Sequence, residues 1–233
     1  MSDKAQRTVP PRRLVIAIDG PAGVGKSTVS KCLADRLHYG YLDTGALYRA
    51  LAWKVQQEHV DPHNLAEIEA LLSHTSLELK ADPNGFAITM DGRPLVLQEL
   101  RTPAVSQLAS SIAVLPIVRK WLLPVQQEVG KAGGVVAEGR DMGTRVFPDA
   151  DIKFFLEADV NVRARRRQQE LAEKGKPVHV DVVRDDMVTR DARDRNRAID
   201  PLRPSPEAIM VETSTQSVEE VVEHMMGLIT DRL

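Results

Sequence analysis

The sequence predicts an α/β fold in which one parallel five-stranded sheet carries helices on both faces. Two observations predict it: short apolar runs alternate with helical patterns, and a glycine-rich turn joins the first run to the first helix. The apolar runs that predict strands are Leu14–Asp19, Tyr41–Asp43, Val135–Ala137, Ile152–Leu156 and Ile209–Glu212. The helical patterns cover Lys26–Leu37, Gly45–His59, Pro116–Val129, Val160–Lys174, Val182–Arg193 and Ser217–Leu233. In such sheets, ligands gather at the carboxyl ends of the strands.

One region between the second and third predicted strands breaks this alternation. Ser76–Lys80 and Phe86–Met90 have strand-like patterns, and the residues between them include Pro83-Asn84-Gly85, which marks a turn. A second turn follows at Asp91-Gly92, before the short run Pro94–Leu97. The sequence therefore predicts a small antiparallel meander inserted into the α/β chain.

The composition bounds the size and the partners of the protein. A chain of 233 residues is long enough for one large α/β domain or for a core with an insertion. The hydrophobic fraction is 42% and the aromatic fraction only 4%, which predicts a core packed mainly by aliphatic side chains. The net charge of −2 argues against broad nucleic-acid binding. We therefore expect small-molecule partners and no nucleic acid.

The N-terminus and the cysteine usage bear on the compartment. The single cysteine, Cys32, cannot form an internal disulfide, which fits a reducing compartment. Residues 1–13 lack the apolar segment of a signal peptide, and we expect them to form a disordered polar tail before a domain that spans 14–233. No apolar run is long enough to cross a membrane. The sequence thus predicts a cytoplasmic protein without a membrane partner.

The glycine-rich turn between the first strand and the first helix, Gly20–Thr28, reads GPAGVGKST. Its spacing fits the phosphate loop G-x4-G-K-[ST], in which backbone N–H groups curl around an anion and the helix N-terminus adds a positive dipole end. We expect Lys26 to reach the β- and γ-phosphates of a nucleoside triphosphate, and the Ser27 hydroxyl to approach Mg²⁺ directly or through water. The sheet is then of the phosphate-loop nucleotide hydrolase type. The residues expected to bind the triphosphate are Gly20, Pro21, Ala22, Gly23, Val24, Gly25, Lys26, Ser27 and Thr28.

Two further motifs follow the second and third predicted strands. The first, DTGALYR at Asp43–Arg49, offers Asp43 or Thr44 as a helix cap and places an arginine near the start of the helix. The second, AEGRDMGTRVFPDA at Ala137–Ala150, places charged residues and glycines beside the expected ligand crevice. A lone arginine such as Arg49 is usually a solvated surface residue, so the first motif alone leaves both interpretations open.

A third motif, TRDARDRNRA at Thr189–Ala198, lies in a helical pattern near the C-terminus. At helical spacing Arg190, Asp194 and Arg197 fall on one face, at positions i, i+4 and i+7. A run with this alternation of charge is commonly a salt-bridged solvent face, so taken alone it fits either a surface helix or a binding site.

Taken together and in this order, these motifs resemble those of bacterial cytidylate kinases, a family of the nucleoside-monophosphate kinase group. The resemblance runs from Leu14 to the C-terminal helix and includes the inserted meander. It implies a monophosphate-side subdomain over about 65–105 and a helical lid over about 157–181. It also implies transfer of the ATP γ-phosphoryl group to CMP or dCMP, with ATP and Mg²⁺ as cofactors. We expect the protein to be a monomer.

The resemblance also implies roles for individual residues. Arg49 and Arg140 would bind the acceptor phosphate. The residues implied for the ribose hydroxyls are Arg190 and Asp194, and those implied for the cytosine edge are Ser110, Arg119, Asp141 and Arg197. With Thr44, these make up the expected CMP site. The lid arginines that would embrace the ATP phosphates are among Arg163, Arg166 and Arg167, and the residues expected to act in catalysis are Lys26, Arg49, Arg140 and Arg166.

The implied chemistry needs no nucleophile from the protein. The second pKa of a phosphate monoester lies near ~6, so the acceptor is largely a dianion at neutral pH and can attack directly. The enzyme has to overcome repulsion between two polyanions and hold them in line, which Mg²⁺ and fixed cations in a dry cleft can do. The six histidines are scattered along the chain and show no metal-ligand spacing.

Two other function classes remain open on the residues alone. One is a phosphate-loop enzyme with a different acceptor, either another nucleoside monophosphate or a small hydroxyl metabolite. Such an enzyme would not need the set formed by Ser110, Arg119 and Arg197. The other is a nucleotide-controlled switch, which would turn over slowly and need no acceptor.

Overall fold

The computed structural model describes residues 13–82, 85–97, 99–173 and 175–232, so the expected polar tail lies outside the described residues except for Arg13. The strands in chain order are β1 (Val15–Asp19), β2 (Gly40–Asp43), β3 (Leu77–Asp82), β4 (Gly85–Met90), β5 (Arg93–Pro94), β6 (Val135–Gly139), β7 (Ile152–Glu157) and β8 (Ile209–Glu212). The helices are α1 (Lys26–Leu37), α2 (Thr44–Gln57), α3 (Leu65–Ser73), α4 (Pro103–Ile112), α5 (Pro116–Gly130), α6 (Val160–Glu173), α7 (Val180–Asn196) and α8 (Val218–Thr230). A π-helical turn, Met142–Val146, follows β6.

The main sheet has five parallel strands in the order β2-β6-β1-β7-β8. The central strand β1 explains how both faces are covered, because its side chains alternate between two apolar clusters. Ile16 and Ile18 pack with residues of α1 and α8 on one face. Ala17 packs with the π-helical turn and with α5 on the other. The predicted fold class is confirmed, and the elements differ from their predicted bounds by only a few residues.

The inserted region forms the predicted antiparallel meander, with β4 between β3 and β5. It packs with α2, α3, α4 and α5 around an apolar cluster of its own. The meander comes closest to the main sheet at Gly85, whose φ is 126°. A Cβ atom at this position would lie 2.5 Å from the Tyr41 carbonyl oxygen. Phe86 in turn packs over Gly40, which would meet the ring if it carried a Cβ. The meander is therefore seated directly on the edge strand β2.

Two helices of this region, α3 and α4, were absent from the sequence-based prediction. Both have ordinary start signals. The Asn64 side chain accepts hydrogen bonds from the N–H groups of Ala66 and Glu67, and the Thr102 hydroxyl accepts one from Val105. Each helix is short, so its apolar face shows too few helical turns to stand out from the surrounding sequence.

Among the described residues, no single helix is long and apolar enough to cross a membrane, although α4 and α5 pass that test as a pair bent by 101°. The same part of the chain contains no group of three or more His, Cys, Asp or Glu side chains that could hold a metal ion.

Candidate active site

A cavity of about 750 Å³ opens at the carboxyl ends of β1, β2 and β6. This is the edge at which ligands were expected. The site residues named from the sequence that line it are Ala22, Gly23, Val24, Gly25, Lys26, Ser27, Thr28, Thr44, Arg49, Ser110, Arg119, Arg140, Asp141, Arg166, Arg167, Arg190, Asp194 and Arg197. Three named residues, Gly20, Pro21 and Arg163, do not line it. Segments far apart in the sequence thus meet at one cavity.

The phosphate loop forms one wall of the cavity. Gly23 and Gly25 have φ of 73° and 95°, a left-handed conformation that glycine adopts without a Cβ clash. The Lys26 ammonium folds back over the loop and donates to the carbonyl oxygens of Gly20 at 2.8 Å and Pro21 at 2.6 Å. Burial, together with the nearby charge of Arg140, lowers the pKa of Lys26 to about 7. Gly20 and Pro21 therefore belong to the loop through their carbonyl groups.

A hydrogen-bonded group lies next to the loop at the end of β6. The carboxyl group of Glu138 forms hydrogen bonds with the hydroxyl groups of Ser27 and Tyr41. The Tyr41 hydroxyl donates to the Oε1 atom of Glu138. The Thr44 hydroxyl donates to the backbone oxygen of Glu138 at 2.7 Å. Burial, together with the charge of Asp43, raises the pKa of Glu138. Mg²⁺ prefers oxygen ligands, such as those of hydroxyl and carboxylate groups. Ser27 and Glu138 therefore fit a site for a nucleotide-bound Mg²⁺. The position of Glu138 after a buried strand was visible in the sequence, but its partners were not.

Asp19, the last residue of β1, connects the phosphate loop to the segment after β6. Its buried carboxylate accepts hydrogen bonds from the N–H groups of Met142 and Gly143, both at 2.8 Å. Burial raises the pKa of Asp19 to about 6, although these two hydrogen bonds act in the opposite direction. The contact holds the π-helical turn and thereby the adjacent residues Arg140 and Asp141.

Asp43 organises the start of α2. One of its carboxylate oxygens accepts from the Ala46 N–H at 3.1 Å, so Asp43 rather than Thr44 caps the helix. The other accepts from Arg49 at 2.7 Å and from Arg101 at 3.1 Å. Arg101 comes from the inserted region and carried no motif that would have pointed to it. Two guanidinium groups therefore share one carboxylate at this wall of the cavity.

Arg140 and α7 form the next group of charges. The Arg140 Nε donates to Asp194 at 2.8 Å. Burial disfavours the ionised carboxylate, but Arg140 nevertheless holds the pKa of Asp194 below its ordinary value. The Nε atoms of Arg49 and Arg190 are buried and have no hydrogen-bond partner within the described part of the chain. Buried guanidinium N–H groups that lack an acceptor fit a site that binds an anion.

Arg119 and Arg197 lie side by side at the far end of the cavity. Both donate to the Asp141 carboxylate, Arg119 to Oδ2 and Arg197 to Oδ1, the latter at 3.3 Å. The Arg119 guanidinium also lies over the Tyr48 ring, 5.8 Å from its centroid. Ser110 accepts a hydrogen bond from Arg193 at 2.9 Å. The residues that the resemblance implied for a base are thus brought together here.

Arg163, which the resemblance implied for the ATP phosphates, lies behind the phosphate loop in this structure and does not line the cavity. Its Nη1 donates to Asp191 at 2.6 Å and to the Ala22 carbonyl at 2.9 Å, and Asp191 accepts from the Ala22 N–H at 3.2 Å. Arg163 and Asp191 are buried, with side-chain exposures of 6% each. In this structure the Arg163 guanidinium is therefore bound behind the loop, and its expected contact with the triphosphate stays a prediction.

The two neighbouring arginines of α6 do line the cavity. Arg166 donates to the Thr213 carbonyl at 2.5 Å, and Arg167 pairs with Glu170 at 2.6 Å. The predicted lid contains α6, which packs against α7 around Ala164, Val183 and Met187.

A phosphate loop that faces a cluster of arginines across one cleft, on a parallel α/β sheet, defines a phosphate-loop kinase. The chain belongs to the cytidylate kinase family, whose family model matches residues 16–231. It is 43% identical to a cytidylate kinase of Geobacillus kaustophilus (strain HTA426), over 95% of this chain and 99% of the relative. It is 41% identical to a cytidylate kinase of Geobacter sulfurreducens, over 95% of this chain and 94% of that protein.

Two further comparisons concern domain context and fold. The chain is 44% identical to part of a bifunctional pantoate ligase/cytidylate kinase of Synechococcus elongatus, over 97% of this chain and 44% of that protein. An uncharacterized protein from Eubacterium ventriosum has the same fold, with a TM-score of 0.53 and 12% identity over 94% of this chain and 99% of that one. Family membership makes this chain a kinase that phosphorylates nucleoside monophosphates.

Proposed function

We propose that the protein phosphorylates CMP and dCMP to CDP and dCDP by in-line transfer of the ATP γ-phosphoryl group. The observation that carries the proposal is the shared cavity, in which the phosphate loop and the arginines of the acceptor side face each other. The membership of the cytidylate kinase family supports the choice of base. The single cysteine, Cys32, is a free thiol, which supports a cytoplasmic location. We propose a monomer as the active form.

On the donor side, the loop Gly20–Thr28 holds the ATP phosphates. Lys26 leaves the carbonyl groups that it now contacts and pairs with the β- and γ-phosphates, because a phosphate oxygen carries more negative charge than a carbonyl. Mg²⁺, when bound, neutralises the β- and γ-oxygens. Ser27 and Glu138 would hold the ion, directly or through water, and Tyr41 fixes the Glu138 carboxylate by a hydrogen bond.

On the acceptor side, Arg49 and Arg140 hold the CMP phosphate. Each is already oriented by a carboxylate, Arg49 by Asp43 and Arg140 by Asp194. The acceptor attacks as a dianion, so the residues supply position and charge and no proton transfer is needed. Thr44 lines the cavity beside them.

The nucleoside of the acceptor lies between α7 and the end of α4. Arg190 and Asp194 contact the ribose hydroxyls. Arg119 and Arg197 donate to the N3 and O2 acceptors of cytosine, while Ser110 or Asp141 accepts from its amino group. Uracil presents the opposite pattern at N3 and C4, which leaves these groups unpaired.

The segment Glu157–Asp181 acts as a lid. Arg166 and Arg167 move from their present partners to the ATP phosphates when both substrates are bound, and closure excludes water as a competing acceptor. Hydrogen exchange in this segment should slow when ATP and CMP analogues are added together, and unchanged exchange would show a static surface helix.

An acceptor panel tests the proposed function. ADP formation from ATP is measured with purified protein alone and then with CMP, dCMP, UMP, AMP or GMP. We expect turnover with CMP and dCMP, equimolar ADP and nucleoside diphosphate, and slow background without an acceptor. Turnover with AMP or GMP but not CMP would point to another monophosphate kinase. Slow ATP hydrolysis that no acceptor changes would point to a nucleotide-controlled switch.

A further inference from the structure

Behind the two arginines of the base pocket lies an aspartate that carried no sequence signal. Asp200 follows α7 and does not line the main cavity. Its carboxylate Oδ2 accepts from the Arg119 Nε at 3.0 Å, and its backbone oxygen accepts from the Arg197 Nε at 2.6 Å. One residue therefore holds both arginines, one through its side chain and the other through its main chain.

The backbone of Asp200 explains how it reaches both. Its φ is 48°, in the left-handed region that residues other than glycine seldom adopt. Such a conformation persists only where the surrounding contacts hold it, and it is found more often at functional sites than elsewhere. Here the contacts are the two guanidinium groups. The side chain of Asp200 is 19% exposed, whereas those of Arg119 and Arg197 are 6% and 3% exposed.

The charges of the cluster require this residue. Arg119 and Arg197 are neighbouring buried cations, and Asp141 bridges them from the cavity side. Asp200 supplies a second carboxylate on the side away from the cavity. Its Oδ1 atom lies 3.8 Å from the Nε of Arg145, which is more exposed. The Nε of each arginine is bound by Asp200 and one Nη by Asp141, and the other Nη of Arg119 donates to the Ala113 carbonyl at 3.2 Å. These contacts fix the planes of both guanidinium groups. The remaining N–H groups then have set directions.

We propose that Asp200 is a positioning residue that sets the base specificity of the acceptor site by fixing Arg119 and Arg197. This inference rests on the proposed function, since it takes cytosine as the ligand of those two arginines. The planar fork of a guanidinium recognises two acceptors only in one orientation. An Arg119 guanidinium that has lost its Nε partner can turn more easily about its Cδ–Nε bond, and it would then bind the edges of cytosine and uracil with less difference between them.

The test replaces Asp200 by glycine and by asparagine. Asp200→Gly keeps the left-handed backbone and its carbonyl but removes the side chain. Asp200→Asn keeps an oxygen acceptor for Arg119 and tolerates the same backbone, but removes the charge. Steady-state kinetics with CMP and UMP at saturating ATP, and calorimetric CMP binding, are measured for both variants and the parent.

A hydrogen bond to a charged group is worth roughly a factor of ten or more. We therefore expect Asp200→Gly to raise the KM and Kd for CMP about tenfold and to lower the CMP-to-UMP ratio of kcat/KM by a similar factor. Asp200→Asn should change the CMP affinity and the CMP-to-UMP ratio by about threefold each. The KM for ATP should stay within about twofold of the parent value in both variants. The partial rescue by asparagine separates positioning from a general loss of structure.

Asp91 provides a matched control. It is another left-handed aspartate, with φ 49°, and its carboxylate pairs with Lys54 at 2.6 Å in the turn between β4 and β5, outside the cavity. Asp91→Gly should leave the CMP-to-UMP ratio unchanged. A parent that prefers CMP, together with an Asp200→Gly variant whose CMP affinity and ratio are unchanged, would overturn this inference alone. A parent that uses CMP and UMP equally would overturn the proposed function, and this inference with it.

Discussion

The two halves of the cleft are built in different ways. The donor half is one continuous segment, Gly20–Thr28, in which glycines with positive φ and the start of α1 present backbone N–H groups. The acceptor half draws its arginines from α2, α5, the segment after β6, and α7. Carboxylates hold four of these arginines, in the pairs Arg49–Asp43, Arg119–Asp141, Arg140–Asp194 and Arg197–Asp141. The donor half is thus encoded locally, and the acceptor half only by the tertiary fold.

This difference affects how each half is prepared for its ligand. The loop is open to a phosphate once Lys26 releases two carbonyl groups. The acceptor arginines that pair with carboxylates are oriented in advance, which reduces the ordering that binding has to supply. A single substitution in the loop should therefore remove transfer, whereas one in the acceptor half should change geometry and selectivity as well as rate.

The largest effect is expected at the loop. Lys26→Ala should lower kcat by roughly 10³-fold or more while the fold is kept, because its charge acts at the transferring phosphate. Turnover by stopped assay and the far-UV spectrum are the measurements. Lys80→Ala, at an exposed lysine of β3, serves as the control and should behave like the parent. Normal turnover by folded Lys26→Ala protein would refute the account of the donor half.

The acceptor clamp should give the next largest effect. Arg49→Lys and Arg140→Lys should each lower kcat/KM for CMP by about 10²-fold or more, since lysine keeps the charge but not the planar bidentate grip. Steady-state kinetics with varied CMP measure this. Arg165→Lys, at an exposed arginine of α6, is the matched control. If both clamp variants stayed within a few-fold of the parent, the two arginines would be structural residues.

A smaller effect is expected where the two halves meet. Arg163 and Asp191 hold the backbone of Ala22, so Arg163→Lys and Asp191→Asn should each raise the KM for ATP about tenfold and change the KM for CMP little. Because both act on one peptide group, the double variant should be less impaired than the product of the single effects. Two results would contradict a joint role of Arg163 and Asp191 behind Ala22. One is a double variant whose effect equals the product of the single effects, and the other is a larger change in the KM for CMP than in the KM for ATP.

The smallest effect is expected in the number of protons that the protein takes up when it binds an ATP analogue. The pKa of Lys26 lies near 7, below its ordinary value, so at pH 8 the amine is mostly neutral in the free protein. A bound triphosphate favours the ammonium, and binding of a non-hydrolysable ATP analogue at pH 8 should take up about one proton. At pH 6 Lys26 is already charged and this uptake should vanish. Calorimetry in buffers of different ionisation enthalpy measures it. Lys26→Met should abolish the uptake at pH 8, and a parent without uptake would show that Lys26 is charged throughout.

The same pKa has a consequence for stability. The folded protein holds this proton less tightly than the unfolded chain, whose lysine titrates near ~10.4. The contribution of Lys26 to the free energy of unfolding should therefore rise as the pH increases from about 7 towards 10.

The sheet and the loop could be predicted because their signals are local. The strand before Gly20 and the helix that begins at Lys26 are predicted from neighbouring residues, and the structure confirms both elements. The present partners of Arg163 could not be predicted from such local signals. Its run of arginines is one helical stretch, and only the packing of α6 on α7 decides that Arg163 faces Asp191 while Arg166 faces the cavity.

The partners of the acceptor arginines could not be predicted from the sequence. Asp200 lies far along the chain from Arg119, and its left-handed backbone has no composition signature. Arg101 meets Asp43 only because the inserted region folds against α2. Pairs of this kind are set by tertiary packing, which hydrophobic periodicity does not encode.

The claim that the acceptor half reads cytosine is tested most directly by the ratio of kcat/KM for CMP and UMP on the parent protein at saturating ATP. Because uracil reverses the donor and acceptor at N3 and C4, we expect CMP and dCMP to be preferred by about 10²-fold or more. Ser110→Ala and Arg197→Ala should narrow this ratio more than they change the affinity for ATP. Equal efficiency with CMP and UMP in the parent would contradict the account and indicate a broader pyrimidine monophosphate kinase.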